Sequence, residues 1–360
     1  MDNYNHSIFG KILIISALVI FLPVNGMCVK GPDKGILEHD GEFAKHRSYL
    51  SVPMSFREYK NGNIIYKTNN FGFREDANTK VYKDEGVIRI LVTGDSHIDS
   101  IVINNESFPS LLEDKLNSAA KKKRFEVINA ACGFYAFDNY YAAIRRYLFL
   151  NPEVFIVVVY IGNDFMGAAE VLERRGKVNK RPPEYKKLSS LFKKGWTWPA
   201  IWQAVNQIYY FKTFPAMKEE AVRHALKTIL EISAFCKKYD IEFIVVFLPT
   251  KLDVEWQEDK VALEKIAKHL ELTDEDMKIN RDLTESLIKG LKEGQINFLD
   301  LYDDMKGREF ELYWKTDYHL NAKGHELLAE EVYKKYRNFL SQIKRKPDQL
   351  PWQTSGNKPK

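Results

Sequence analysis

The stretch "VIRILVTGDSH", Val87 to His97, joins a run of apolar residues to a Gly-Asp-Ser-His turn. A nearly continuous apolar run of this length is typical of a strand that is buried on both faces of a parallel sheet. Similar runs recur along the chain, separated by amphipathic stretches, at Phe125 to Ala131, Val154 to Gly162, Ile241 to Pro249 and Ile296 to Leu301. The alternation predicts an α/β protein of flavodoxin-like order, with helices on both faces of a five-stranded parallel sheet.

The sequence outside this core predicts the domain organisation. We expect a signal peptide or anchor at residues 1–27 and an extension packed on the main domain at residues 28–85. The main domain should span residues 86–343, with one insertion at residues 166–214, and residues 344–360 should form a loose tail. The apolar run Ile12 to Leu22 is short for a membrane span and suits the h-region of a signal peptide. The protein is therefore expected to be exported, to the periplasm or outside the cell, or to be membrane-anchored by this segment.

The composition excludes several functional classes. The chain has 54 Lys and Arg against 49 Asp and Glu, a formal net charge of +5, and the basic residues are mostly interleaved with acidic ones, so we expect no nucleic-acid partner. Cys28, Cys132 and Cys236 form neither a CxxC pair nor a zinc spacing. We therefore expect no disulfide framework, no metal and no cofactor.

Polar residues follow three of the predicted strands and precede the final helix. Ser96, the Gly133–Phe134 pair and Asn163 each follow a strand, while Asp317 and His319 come just before a helix that Asn321 can cap. The carboxyl ends of parallel strands meet at one edge of the sheet, which is where such proteins bind ligands. His319 reaches the same edge if the final helix packs beside the first strand.

These residue types suit nucleophilic catalysis. Ser96 needs an imidazole within hydrogen-bond reach to take its proton, and His319 is the candidate base. Asp317 is close enough in sequence to fix the imidazole tautomer and stabilise the imidazolium. Asp300 and Asp303 are the alternative carboxylates for that role.

Acyl transfer also needs donors for the oxyanion that develops on the substrate carbonyl. The candidates are the Ser96 main-chain N–H, the main chain at Gly133 or Phe134, and the Asn163 side-chain amide. The plainer readings are that Ser96 is a turn hydroxyl and that Asn163 closes its own loop through an Asx-turn.

The segments "GDSH", "NAACGFYAFD", "YIGNDF" and "DYHLNAKGH" occur in the order of the sequence blocks of the SGNH (GDSL-like) hydrolases, and the chain resembles that family over about residues 68 to 340. The lead-in "TNNFGFRE" is similar to that of exported bacterial members. The resemblance implies a three-layer α/β/α fold, the SGNH hydrolase fold, and a serine carboxylic ester hydrolase that works through an acyl-enzyme with Ser96, His319 and Asp317.

Two departures from the family pattern affect the site. The family's oxyanion glycine aligns with Phe134, and Gly133 stands one place earlier. The usual Asp-x-x-His is here Asp-x-His, with Thr316 at the usual position of the acid. The shorter spacing resembles that of SGNH-like proteins that acetylate exported polysaccharides, including alginate.

The expected function is hydrolysis of an O-acyl ester, with an O-acetyl group on a glycan as the candidate substrate. The alternatives are an O-acetyltransferase acting on an exported polysaccharide and a catalytically silent glycan-binding module. The expected partner is an acyl ester substrate, for which a surface polysaccharide is one candidate. Contact with a membrane is expected only through the N-terminal segment, if that segment is not cleaved. His97, Asp164 and Trp314 are candidates for substrate contact, with packing beside the nucleophile as the alternative role of His97. Arg74 is expected to anchor the extension by a salt bridge.

Overall fold

The structure is a computed structural model that describes residues 36–40, 43–120, 124–177, 202–254, 260–307 and 312–347. The predicted signal peptide or anchor and most of the predicted tail lie outside the described residues, as does the middle of the predicted insertion. Among the residues that are described, no helix is both long enough and apolar enough to cross a membrane.

The N-terminal extension forms two antiparallel hairpins, β1 (Leu37–Asp40) with β2 (Phe43–His46) and β3 (Ser51–Ser55) with β4 (Asn63–Lys67). Sequence analysis expected an extension here but no strands. The signal is present in β4, where buried and exposed residues alternate, and in the Asn61–Gly62 turn that precedes it.

The central sheet has five parallel strands, β5 (Ile88–Thr93), β6 (Phe125–Asn129), β7 (Val154–Tyr160), β8 (Glu242–Leu248) and β9 (Asn297–Asp300). Their order in the sheet is β6-β5-β7-β8-β9. Each strand coincides with one of the apolar runs in the sequence. The predicted flavodoxin-like fold is therefore confirmed.

Helices cover both faces of the sheet. Their bounds are α1 Ser96–Asp99, α2 Phe108–Ala120, α3 Phe137–Tyr147, α4 Asp164–Arg174, α5 Trp202–Thr213, α6 Ala216–Lys238, α7 Lys251–Val254, α8 Lys260–Leu270, α9 Ile279–Glu293, α10 Tyr302–Met305 and α11 Ala322–Gln342. Short 3₁₀ helices lie at Asn104–Glu106, Leu148–Leu150 and Asp276–Lys278.

The two faces of the sheet bury separate apolar cores. Phe155 and Val157 of β7 point into a core shared with α3, α4, α5, α6 and α9, whereas Ile156 and Val158 point into a core shared with α2 and α11. Because successive side chains of a strand face opposite ways, a strand between two helical layers must be apolar throughout. This explains why the apolar runs show no alternation.

The final helix α11 packs against α2, beside strand β6. Lys115 of α2 lies 2.7 Å from Glu330 of α11, and the Phe108 N–H at the start of α2 donates to His325 Nδ1 at 3.2 Å. Asn321 caps α11 by accepting the N–H groups of Lys323 and Gly324, as its sequence position predicts. The residues just before α11 are thereby brought to the edge of the sheet where β5 ends.

Arg74 anchors the extension to the main domain. Its buried guanidinium donates to the main-chain oxygens of Asp99, Ser100 and Val102 at 2.6 to 3.0 Å, and it lies 3.4 Å from the Asp99 carboxylate. Its Cζ also lies 3.8 Å from the centre of the Tyr66 ring on β4. The expected salt bridge is present, although most of the anchor consists of hydrogen bonds to the loop that follows the nucleophile candidate.

Candidate active site

Ser96 is the first residue of the short helix α1, which begins directly after β5. Gly94 makes this turn possible, because a Cβ at that position would lie 2.6 Å from the Ile98 side chain. Asp95 caps the helix by accepting the His97 N–H at 2.9 Å. The turn places the Ser96 hydroxyl at the carboxyl end of the sheet.

The structure brings Ser96, His319 and Asp317 into one hydrogen-bonded chain. Ser96 Oγ lies 2.7 Å from His319 Nε2, and His319 Nδ1 lies 2.5 Å from Asp317 Oδ1. The same Asp317 oxygen accepts the His319 main-chain N–H at 2.8 Å. One carboxylate therefore fixes both the ring and the backbone of the histidine despite the short Asp-x-His spacing.

The charges of the pair favour a basic imidazole. Burial lowers the pKa of His319, but the adjacent Asp317 carboxylate, together with Asp95 and Asp99, raises it by more, so that the pKa lies above its ordinary value of 6.5. Burial raises the pKa of Asp317, and the neighbouring His319 brings it below its ordinary value. Asp317 is thus held ionised beside a ring that accepts a proton readily. Asp300, the alternative carboxylate, pairs with Arg281 at 2.6 Å.

The loop after β6 contributes Gly133 and Phe134 to the site. Gly133 lies against the nucleophile candidate, since a Cβ built on it would be 3.9 Å from Ser96 Cβ. Its N–H, however, donates to Asp99 Oδ2 at 3.0 Å. The N–H groups of Ser96 and Phe134 have no hydrogen-bond partner within the described part of the chain. Gly133 and Phe134 were both candidates for the main-chain oxyanion donor. Because the Gly133 N–H is already bonded to Asp99, Phe134 is the better candidate of the two.

Asn163 lies on the loop after β7 and faces the start of α1. Its side-chain amide donates to Asp95 Oδ2 at 3.2 Å, and it makes no side-chain cap on its own helix α4. Burial raises the pKa of Asp95 to about 6, and the His97 N–H, His319 and the Asn163 amide oppose that rise. The Asx-turn reading of Asn163 is therefore wrong, and its side chain lies beside the nucleophile loop.

The structure corrects the expectation for His97 and Asp164. Both side chains are fully buried, so neither can meet a substrate that arrives from solvent. The His97 ring stacks on Tyr160 at 3.7 Å, and burial holds its pKa well below the ordinary range. Asp164 accepts the Tyr140 hydroxyl at 2.7 Å inside the core. Adjacency in sequence to Ser96 and Asn163 suggested substrate contacts, but these side chains point inward.

Trp314 lies near the acid–base residues but turns its ring toward the N-terminal extension. The half-buried ring meets Phe56 at 4.9 Å and Tyr59 at 6.3 Å between ring centres. The Trp314 ring therefore packs on the hairpin formed by β3 and β4, and its contact with substrate stays a prediction. Trp202, at the end of the insertion, begins α5.

Sequence reasoning missed the network that surrounds Asp99. The Asp99 carboxylate accepts the Tyr66 hydroxyl at 2.6 Å and lies 3.1 Å from His46 Nε2, as well as contacting Arg74 and Gly133. Burial alone would raise the pKa of Asp99, but His46 and Arg74 lower it to about 2. The sequence did offer one signal of this network, because Asp99 lies three residues after Ser96 and so falls on the same helical turn.

The described residues contain no group of three or more His, Cys, Asp or Glu side chains arranged to hold a metal ion. The acidic residues near Ser96 are each engaged by protein donors instead. Asp95 accepts from His97 and Asn163, and Asp99 accepts from four neighbours.

Comparison with known proteins gives likenesses in structure. No protein-family model and no curated protein sequence matches the chain. Solved structures to which it is similar include a lipolytic protein of the G-D-S-L family from Desulfitobacterium hafniense, a lipase and an acetyl xylan esterase. A lipase from a goat rumen metagenome, Lip_vut3, is 14% identical with a TM-score of 0.44, over 69% of this chain and 97% of that one.

Two further solved structures are acetyl xylan esterases. AlAXEase is 13% identical with a TM-score of 0.41, over 71% of this chain and all of the other. A catalytic mutant of Axe2 from Geobacillus stearothermophilus is 12% identical with a TM-score of 0.43, over 69% and 93% of the two chains.

Phe134 is an exposed aromatic residue in a left-handed conformation, with φ of 69° and 65% of its surface accessible. This conformation costs about 1–2 kcal/mol for a residue with a Cβ, and the exposed ring recovers little of it by packing. Phe134→Gly is therefore expected to raise the free energy of unfolding by up to about 1 kcal/mol. Because glycine keeps the main-chain N–H, kcat on a short ester should stay within about threefold of wild type. Thermal denaturation and ester kinetics measure the two effects.

Tyr49 offers a matched control for Phe134. It is also an exposed aromatic residue, with φ of 61°, but it lies in the turn between β2 and β3. Tyr49→Gly should stabilise the fold by a similar amount without changing kinetics on any ester. A tenfold loss of kcat in Phe134→Gly alone would show that the ring itself takes part in turnover.

Proposed function

We propose that the protein is a serine hydrolase that cleaves a carboxylic ester through an acyl-enzyme intermediate. The observation that supports this most directly is the continuous hydrogen-bonded chain from Ser96 Oγ through His319 to Asp317, with distances of 2.7 and 2.5 Å. A serine hydroxyl becomes an effective nucleophile when a base held in this way takes its proton.

In the acylation half-reaction, His319 Nε2 takes the Ser96 hydroxyl proton as Oγ attacks the ester carbonyl carbon. The C=O π electrons move to the carbonyl oxygen, and a tetrahedral adduct forms. Collapse of the adduct restores the C=O bond and expels the alcohol oxygen, which receives the proton from Nε2. The Asp317 carboxylate stabilises the imidazolium that exists between these steps.

The oxyanion of the tetrahedral adduct would be met by three donors. These are the main-chain N–H groups of Ser96 and Phe134, which have no partner among the described residues, and the second N–H of the Asn163 amide, whose other N–H donates to Asp95. Each such donor typically contributes about 3–4 kcal/mol to transition-state stabilisation. The Gly133 N–H bonds to Asp99 and therefore serves to fix the loop rather than the oxyanion.

Deacylation repeats the same proton transfers with water as the nucleophile. His319 Nε2 takes a proton from water as the water oxygen attacks the acyl carbon. It then returns that proton to Ser96 Oγ as the ester bond to serine breaks. The products are the carboxylic acid and the free enzyme. If a sugar hydroxyl takes the place of water, the same residues transfer the acyl group to a glycan.

We propose an O-acetyl ester as the substrate, with a glycan as its carrier. The Asp-x-His spacing supports an acetyl group, because it resembles that of SGNH-like proteins that acetylate exported polysaccharides. The same observation keeps acetyl transfer as the second candidate function.

The decisive experiment incubates the purified protein with a chromogenic acetyl ester, with and without a glycan acceptor, and measures both phenolate and free acetate. A hydrolase releases the two in equal amounts regardless of the acceptor. A transferase releases phenolate faster when the glycan is present and places acetate on it. A protein that releases no phenolate under either condition contradicts both, and supports the silent glycan-binding module.

We further propose that the protein is exported, on the basis of the apolar run from Ile12 to Leu22. If this run is the h-region of a signal peptide, the mature chain isolated from its own cell should begin near Met27. N-terminal sequencing checks this directly. Intact Met1 in the membrane fraction would instead identify the segment as an anchor.

A further inference from the structure

The hairpin formed by β3 and β4 reaches from the N-terminal extension to the acid–base residues. Its tip, residues 56–62, is an ordered turn in which the Phe56 N–H donates to Gly62 O at 2.9 Å and the Gly62 N–H donates to Tyr59 O at 2.8 Å. The Tyr59 hydroxyl donates to Glu106 at 2.9 Å, which fixes the tip to the main domain. The tip is therefore held independently of the site that it approaches.

Glu58, at this tip, binds the backbone immediately before Asp317. Its Oε2 accepts the Lys315 N–H at 2.6 Å, and its Oε1 accepts the Thr316 N–H at 2.8 Å and also the Thr316 hydroxyl. Thr316 occupies the position at which the family carries its acid. Here that position is bound to a carboxylate from another part of the chain, and the acid comes one residue later.

Two further sets of contacts hold the loop of residues 314–319. At its base, the Trp314 N–H donates to His319 O at 3.0 Å. The buried Lys251 ammonium lies 3.3 Å from the main-chain oxygens of Trp314 and Lys315. Two peptide units, 314–315 and 315–316, are thus bound at both ends. Lys251 binds their carbonyl oxygens, and Glu58 binds their N–H groups. The two opposite charges fix the orientation of these peptide planes.

We propose that Glu58 is a positioning residue, which sets the location of Asp317 and, through Asp317, the orientation of the His319 imidazole. This inference rests on the proposed function and assigns part of the active site to the N-terminal extension. It requires only the contacts described above, and Glu58 itself does not touch the reacting atoms. The packing of Phe56 and Tyr59 on Trp314 acts in the same direction.

The test compares Glu58→Ala with Lys60→Ala. Lys60 lies on the same hairpin tip and binds Glu106, with no contact to residues 314–319, so it controls for any general effect on the tip. Because Glu58 is only half-buried and its partners Lys315 and Thr316 are exposed, Glu58→Ala should fold. Glu58→Gln, which keeps one acceptor oxygen for Thr316, is a second variant with a smaller change.

We expect kcat on a short acetyl ester to fall about tenfold in Glu58→Ala, with KM little changed, because displacements of about 1 Å in a catalytic constellation can cost about 10²-fold. Glu58→Gln should lie between this value and wild type, and Lys60→Ala should match wild type. A fall in kcat alone would also follow if Glu58→Ala disturbed the structure around the hairpin tip in general, so a second measurement is needed.

That measurement is the titration of the His319 ring by NMR, with its signal assigned by its absence in His319→Gln. The imidazole is faced by the carboxylates of Asp317, Asp95 and Asp99 and by the His97 ring. If Glu58 holds Asp317 in place, the His319 pKa should be lower in Glu58→Ala than in wild type and unchanged in Lys60→Ala. The acid limb of the kcat/KM profile should move to lower pH in parallel.

An unchanged His319 pKa in Glu58→Ala and Glu58→Gln would overturn the inference, whatever their activity. The titration needs no substrate, so it separates the inference from the proposed function. A wild-type protein that hydrolyses no ester, but whose His319 pKa falls on Glu58→Ala, would retain the positioning role and lose the function.

Discussion

Ser96→Ala is expected to abolish turnover of a short-chain aryl ester, with a loss in kcat on the order of 10⁶, the precedent for removal of the nucleophile from a serine triad. The change removes the attacking oxygen and its contact with His319 Nε2, while alanine suits the first turn of α1 at least as well as serine. The fold should therefore persist, which circular dichroism checks. Labelling by a fluorophosphonate, which reacts with activated serines, should disappear together with turnover.

Ser100→Ala is the matched control. Ser100 is a buried serine that caps the C-terminal end of α1, four residues after Ser96, and its hydroxyl has no hydrogen-bond partner among the described residues. Removing it should leave kcat and labelling within a few-fold of wild type. If Ser96→Ala kept more than a few per cent of wild-type kcat, the nucleophile would have to be sought elsewhere.

Asp317→Asn is expected to lower kcat by about 10⁴, because the amide keeps the shape of the carboxylate but removes its charge and permits the wrong imidazole tautomer. In the structure, Asp317 Oδ1 lies 2.5 Å from His319 Nδ1 and accepts the His319 main-chain N–H at 2.8 Å. His319→Ala should be at least as damaging. Since the two residues act as a unit, the double variant should be little worse than His319→Ala alone. The measurement is kcat for all three variants on one ester.

Asp300→Asn is the control for Asp317→Asn, because it replaces another carboxylate by an amide, at the carboxyl end of strand β9. Asp300 binds Arg281 in the structure, so this variant should leave kcat close to wild type. Additive losses in the double variant, or a loss below about tenfold in Asp317→Asn, which corresponds to about 1.4 kcal/mol, would remove Asp317 from the catalytic unit.

The pH dependence of the wild-type enzyme follows from the same pair. His319 acts as a base only when it is neutral, and its pKa is raised above the ordinary value by Asp317 against the opposing effect of burial. Activity should therefore rise with pH through the His319 pKa, with a midpoint above that of an unpaired histidine.

Local patterns in the sequence were sufficient to predict the sheet and to place Ser96 and Asn163 at its carboxyl edge. Asp317 and His319 could be placed at that edge only on the condition that the final helix packs beside the first strand. Apolar runs identify buried strands, and the carboxyl ends of parallel strands must share one edge, so residues on separate loops could be placed together without knowing any distance. The capping role of Asn321 followed from its position before an amphipathic helix.

The side-chain directions could not be predicted in this way. His97 and Asp164 adjoin Ser96 and Asn163 in sequence, but packing against Tyr160 and Tyr140 turns them into the core. The choice between Gly133 and Phe134 depended on Asp99, whose hydrogen bond to Gly133 spans 34 positions. Glu58 acts on a loop more than 250 residues away. Contacts of this kind are set by tertiary packing and leave no periodic signal in the sequence.

The distance along the chain between Ser96 and His319 has a consequence for how the protein acquires its activity. The two residues are 223 positions apart, and His319 lies just before α11, which packs on α2. A chain leaving the ribosome presents its serine long before its base, and most of the sheet can form while the hydroxyl is still unreactive. Fluorophosphonate labelling during refolding would then report the last long-range closure, later than the recovery of secondary structure.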